Sequence, residues 1–213
     1  MSVTAAKGFS ASGVAAGLKT SGEPDVALIV NDGPSHTAAA VFTSNRCKAN
    51  PVLWSEEAIK SGSATAVVIN SGGANCYTGP EGFATTHHTA ETVATALGVG
   101  AIEVQVCSTG LIGLLNDRDT LLSGVHDALA ARSIDGGAAA ATAIMTTDTV
   151  AKEAVSNGEG FTVGGMAKGA GMLAPALATM LVVITTDADV DAYTAAAALR
   201  SATAQPFDRL DPD

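Results

Sequence analysis

The 213 residues carry 21 acidic against 11 basic side chains, a formal charge of -10 at pH 7, which repels a phosphate backbone and argues against nucleic acid as a partner. Hydrophobic residues make up 47% and aromatics 4%, so the core is expected to be built from Ala, Val and Leu, in helices packed closely on a sheet. No window approaches the ~18 apolar residues a membrane span needs, and no apolar stretch follows a basic start, so a cytoplasmic protein with no membrane partner is expected.

In chain order, short apolar runs at 26–30, 38–43, 66–70, 104–107 and 180–184, bounded by Gly, Asn, Asp or Ser, predict strands. Between them, 86–97 has helical spacing with Ala90, Val93, Ala94 and Leu97 on one face, and Asp119 is the expected cap of a helix using Leu122, Val125 and Leu129. A last helix is predicted over 190–204, behind Asp187, Asp189 and Asp191, with an alanine-rich face that should pack closely. Asp135-Gly136-Gly137 and Ser156-Asn157-Gly158 read as surface turns. Strands and helices interleave without repeats or linkers, which indicates a single α/β unit. The segment 206–213 shows no terminating element, so the sequence reads as a fragment.

Cys47, Cys76 and Cys107 are widely spaced and match no metal-ligand pattern. Buried free thiols are therefore expected, with neither disulfides nor a metal. His36, His87, His88 and His126 have no catalytic or metal context. Gly169-Ala170-Gly171-Met172-Leu173-Ala174 has the letters of a dinucleotide loop, but Pro175 and a strand follow where a helix should open.

The chemistry concentrates in a few segments. Asn70-Ser71-Gly72-Gly73-Ala74-Asn75 follows a strand and exposes backbone amides to a ligand, or is a plain strand-to-helix turn. In Cys107-Ser108-Thr109-Gly110, the Thr109 hydroxyl and Gly110 amide suit the oxyanion of a tetrahedral acyl intermediate, while a helix cap or turn is the plainer alternative. Met145-Thr146-Thr147-Asp148 offers hydroxyls that orient a polar substrate or cap a helix. Lys168, on what reads as an uncrowded loop of Gly and Ala, either meets a substrate carboxylate or is solvated. Thr179 heads an apolar strand after Ala178. If the Ala178–Thr179 bond breaks, Thr179 gains a free α-amine titrating near ~7.7–8.0 beside its own hydroxyl, a base and a nucleophile in one residue. Otherwise it is an ordinary β-branched strand residue.

Taken together, Gly72-Gly73-Ala74-Asn75, Cys107-Ser108-Thr109-Gly110, Ala143-Ile144-Met145-Thr146-Thr147-Asp148, Gly164-Gly165-Met166-Ala167-Lys168-Gly169 and Met172-Leu173-Ala174-Pro175 followed by Leu177-Ala178-Thr179-Met180-Leu181 resemble the ornithine acetyltransferase (ArgJ) family. The resemblance implies an α/β DmpA/ArgJ-like fold of the self-cleaving N-terminal-nucleophile type. Residues 1–178 would be the α-chain region and 179–213 the start of the β-chain region. It implies acetyl transfer from N-acetylornithine to glutamate in arginine biosynthesis through an acetyl-Thr179 intermediate. Acetyl-CoA is a possible further substrate, and no cofactor is implied. By motif, Thr109 and Gly110 form the oxyanion hole, Thr146, Lys168 and Thr179 contact substrate, and Ala178–Thr179 is the cleaved bond. The resemblance also implies an α2β2 assembly and a chain continuing past Asp213 to a further glutamate and other substrate-binding residues. An N-terminal-nucleophile amide hydrolase or aminopeptidase and a non-catalytic assembly fragment are the competing readings.

Overall fold

A computed structural model describes residues 2–169 and 179–204. Strand β1 (Phe9–Val14) pairs antiparallel with β2 (Val26–Asn31), β2 pairs antiparallel with β3 (Ala66–Asn70), and β3 pairs parallel with β4 (Val104–Ser108). Parallel neighbours need a crossover, and α2 (Gly79–Leu97) provides it. Residues Val26, Leu28 and Val30 of β2 face one layer and Ala27 and Ile29 the other, as period-two alternation requires.

The first layer holds α1 (Asn50–Ala58), α2 and α3 (Arg118–Ala130). Val93 of α2 and Leu121 and Val125 of α3 pack on Val68, Val104 and Val106. Each such side chain contributes about 1.5–3 kcal/mol by leaving water. On the opposite face, α4 (Gly137–Ala143) brings Ala140, Ala141 and Ala143 against Ile29 and Ile69. This approach requires Gly13, since a Cβ there would lie 2.0 Å from the Ala139 carbonyl oxygen. A second, antiparallel sheet of β5 (Lys152–Asn157), β6 (Thr162–Lys168) and β7 (Leu181–Thr186) sends Met166, Leu181 and Val183 into the same core. Helix α5 (Ala192–Thr203) follows.

Of the predicted strands, 26–30, 66–70 and 104–107 match, and 180–184 corresponds to β7, which begins at Leu181. The run 38–43 forms no strand. Thr37 makes an isolated bridge to Ser63, and Val41 is exposed. The outer edge of β4 is covered by α1 instead of a further strand. There the Ser55 hydroxyl accepts the Val106 N–H at 3.0 Å and donates to the Val106 carbonyl at 2.9 Å, and Trp54 Nε1 donates to the Val104 carbonyl at 3.0 Å. A helix thus satisfies backbone groups that would otherwise invite another strand.

The predicted helix at 86–97 starts earlier, at Gly79. The cap of α3 is Asp117 rather than Asp119: its carboxylate accepts the Thr120 N–H at 2.9 Å. Asp191 caps α5 in the same way, but among the helix residues only Thr203 is buried, so its alanine-rich face does not pack closely as expected. The three cysteines are free, with Cys76 buried and Cys47 exposed, which corrects the expectation of three buried thiols. Burial pushes the Cys107 thiol up to about 12. No described helix is long and apolar enough to cross a membrane, and no group of metal-ligating side chains occurs among the described residues.

Candidate active site

Because β3 and β4 run parallel with Asn70 opposite Ser108, the loops that follow them leave the same edge of the sheet side by side. The Asn70 amide donates to Ser108 Oγ at 2.7 Å, and the Asn70 carbonyl accepts the Thr109 N–H at 2.9 Å. Further along, Gly73 bridges Leu111, and the Ala74 N–H donates to the Leu111 carbonyl at 2.9 Å. Gly110 turns with φ +123, and a Cβ there would lie 2.9 Å from the Gly72 carbonyl oxygen. The two small-residue loops therefore lie directly against each other, and their close approach needs Gly110, while Cβ atoms at Gly72 and Gly73 would instead meet Leu18 and Asn116. Asn116 closes the arrangement from beneath, its Nδ2 donating to Asn70 Oδ1 at 3.1 Å and to the Gly73 carbonyl at 3.2 Å.

The second half of the site comes from the other layer. Ser71 donates to the Ala143 carbonyl at 2.6 Å, and Lys19 donates to the Met145 carbonyl at 2.8 Å, which fixes the end of α4 and the turn carrying Thr146. Thr146 itself is exposed. Lys168 is the last residue of β6 and pairs with Leu181, so the chain re-enters beside the point where it left. It lies on a strand and is buried, not on the uncrowded loop that the sequence suggested. Its ammonium donates to Thr109 Oγ1 at 3.2 Å and to the Thr179 carbonyl at 3.2 Å.

Burial lowers the pKa of Lys168, opposed by the nearby Asp148 carboxylate and reinforced by the Lys152 and Lys19 charges. Asp148 is held below its ordinary value. Burial alone would raise it, but hydrogen bonds from Lys152 and from the Gly169 and Thr146 N–H groups outweigh that cost.

The structure thus brings Thr109, Gly110, Lys168 and Thr179 to one place and sets the Thr146 turn against it. The Ala178 side of the expected cleavage bond and the 170–175 part of the motif lie outside the described residues. His87 packs edge-on against Trp54 with ring centroids 5.0 Å apart, away from any such cluster. Asn116 carries no local sequence signal, and Asp148 stands out in the sequence only as part of the Thr-Thr-Asp motif. Asn116 stands alone in a polar stretch. Only its burial and two bonds mark it.

The family model described as the ArgJ family matches residues 10–213. The chain belongs to the ArgJ family. An ArgJ relative from Streptomyces coelicolor, an arginine biosynthesis bifunctional protein, is 64% identical over 213 residues, all of this chain and 56% of that protein. The chain therefore spans about half the length of the curated relatives it matches. Among solved structures, ornithine acetyltransferase from Mycobacterium tuberculosis, complexed with ornithine, superposes with TM-score 0.76 at 50% identity over 84% of this chain and 96% of that one. ArgJ from Bacillus halodurans gives TM-score 0.66 at 29% identity, covering 89% and 91%. The expected ArgJ-like α/β fold is therefore the observed one.

Proposed function

We propose that this chain is part of an enzyme that transfers an acetyl group from N-acetylornithine to glutamate through an ester on Thr179, formed after cleavage at Ala178–Thr179. The supporting observation is the Lys168 ammonium lying between Thr109 Oγ1 and the Thr179 carbonyl, 3.2 Å from each. The relatives' role in arginine biosynthesis and the ornithine bound to the Mycobacterium tuberculosis enzyme agree with it. Acetyl-CoA as a second donor, an α2β2 assembly and a cytoplasmic location belong to the same reading.

After cleavage the Thr179 hydroxyl attacks the acetyl carbonyl and its proton passes to the Thr179 α-amine. The oxygen that becomes negative faces the Thr109 hydroxyl and the Gly110 N–H. The Thr109 N–H is already committed to the Asn70 carbonyl, so the hydroxyl is the available donor. An ammonium only donates, so Thr109 Oγ1 accepts from Lys168 and its own hydrogen is directed away from the lysine, toward the oxyanion. The third Lys168 N–H remains for a substrate carboxylate. The protonated α-amine gives that proton to the ornithine nitrogen as the acetyl C–N bond breaks, leaving the ester. The glutamate amine then attacks the ester carbonyl and loses a proton to the α-amine, and the Thr179 oxygen leaves and takes that proton to restore the hydroxyl.

The test uses the protein at its natural full length. Intact mass under denaturing conditions is expected to show two pieces meeting at Ala178/Thr179. Thr179→Ala should leave one piece and reduce acetyl exchange by ~10⁴-fold or more. Retained exchange in that variant, or acetate release that is equally fast without glutamate, overturns the proposal.

A further inference from the structure

Asp148 performs none of the chemistry above, yet two parts of the site meet on it. Its carboxylate is buried. Oδ2 accepts the Thr146 N–H at 3.3 Å, Oδ1 accepts the Gly169 N–H at 2.9 Å, and the Lys152 ammonium contacts Oδ1. Thr146 lies on the turn after α4, whereas Gly169 directly follows Lys168 at the end of β6. One side chain therefore spans 21 residues of sequence and ties a segment of the helical layer to the end of a strand in the second sheet.

A buried carboxylate is costly unless its lone pairs are used, and here two backbone donors and one ammonium use them. The arrangement also serves Lys168. A lysine stem is flexible and carries about 2 kcal/mol of rotamer entropy, so its head stays on Thr109 and Thr179 only if its backbone is fixed and its charge is supported. Strand pairing with Leu181 and, one residue further on, the Gly169 bond to Asp148 do the first. The negative charge of Asp148 does the second, against burial and the neighbouring Lys152 and Lys19 cations.

We propose that Asp148 is a positioning residue: by joining the Thr146 turn to the Lys168–Gly169 strand end, it holds the Lys168 ammonium against Thr109 and the Thr179 carbonyl. The inference rests on the acetyl-transfer reading for its consequence in catalysis, but the placement of Lys168 can be read separately. The test therefore takes two measurements on the full-length protein, acetyl exchange kinetics and the pH midpoint of Lys168 labelling by an amine-reactive reagent, followed by peptide mass.

Asp148→Asn is expected to lower the Lys168 midpoint and to reduce kcat by ~10²-fold, the scale of a misplacement near 1 Å, with a smaller change in KM. Lys152→Met, which keeps the carboxylate and both backbone bonds, is expected to move the midpoint the other way and to reduce kcat by less than ~10-fold. It also preserves the test if Asp148→Asn does not fold. A Lys168 midpoint that stays put, or that moves the same way in both variants, overturns the proposal. So does full kcat in a folded Asp148→Asn enzyme whose wild type exchanges acetyl groups. If the wild type shows no exchange while the midpoints move in opposite directions, the positioning of Lys168 stands and the acetyl-transfer reading falls.

Discussion

The two halves of the site are held by different physics. The loops after β3 and β4 are fixed by backbone geometry and neutral hydrogen bonds: the close approach at Gly110, Asn70 on Ser108, and Asn116 beneath both. The Lys168 side is held by charge, with one buried carboxylate gathering backbone donors and an ammonium. The first arrangement tolerates little change of shape and is indifferent to pH. The second depends on protonation. On the proposed reading, this division keeps the Thr109 and Gly110 donors in place while the charged side meets a substrate carboxylate.

Three changes break or sharpen this contrast. The largest effect is expected from Gly110→Ala, which forces a Cβ at φ +123 and to within 2.9 Å of the Gly72 carbonyl oxygen. Backbone strain of this kind costs about 1–3 kcal/mol, and displacing an oxyanion donor lowers the rate by ~10²–10³-fold. Denaturant unfolding and exchange kinetics measure the two, and a silent substitution would mean that the loops do not lie directly against each other. Next comes Asn116→Ala, which strands Asn70 Oδ1 and the Gly73 carbonyl and is expected to destabilise by about 1–3 kcal/mol. Its cost should not vary with pH, which a series of unfolding curves across neutral pH would verify.

The smallest effect is the acid response of the charged half. The pKa of Asp148 is lowered in the fold from 3.8. Its contribution to stability is therefore complete above that value and is lost as the pH falls through the folded-state value. Unfolding of the wild type and of Asp148→Asn, followed from about pH 6 downward, should show the wild type losing its advantage only below the ordinary carboxylate range. An advantage that grew on acidification would contradict the sign of the shift.

Much of the fold was legible because local patterns carried it. The strands at 66–70 and 104–107 are apolar runs ended by Asn or Ser, and those ends are where the site loops begin. Strand β1 was not legible, since Phe9–Val14 contains two serines and a glycine. Those serines are acceptable inside only because Ser10 donates to Asp32 Oδ2 at 2.5 Å and Ser12 to the Ala128 carbonyl at 2.6 Å, contacts made across long stretches of chain. Helix α1 was hidden for a similar reason: its buried serine belongs to the edge of β4. Lys168 looked solvated because Gly and Ala flank it. Those small residues in fact line a strand that ends in a buried site.

The sequence by itself determined the residue types of the chemistry, the order of the loops that carry them and the family to which the chain belongs. It determined them because motifs, turn glycines and apolar periodicity are properties of neighbours along the chain. Only the tertiary structure decided that Thr109, Lys168 and Thr179 touch, and that Asp148 and Asn116 hold the two halves. Those contacts arise from the parallel pairing of β3 with β4 and from the second sheet packing beneath α4, which join residues whose separation along the chain carries no local signal.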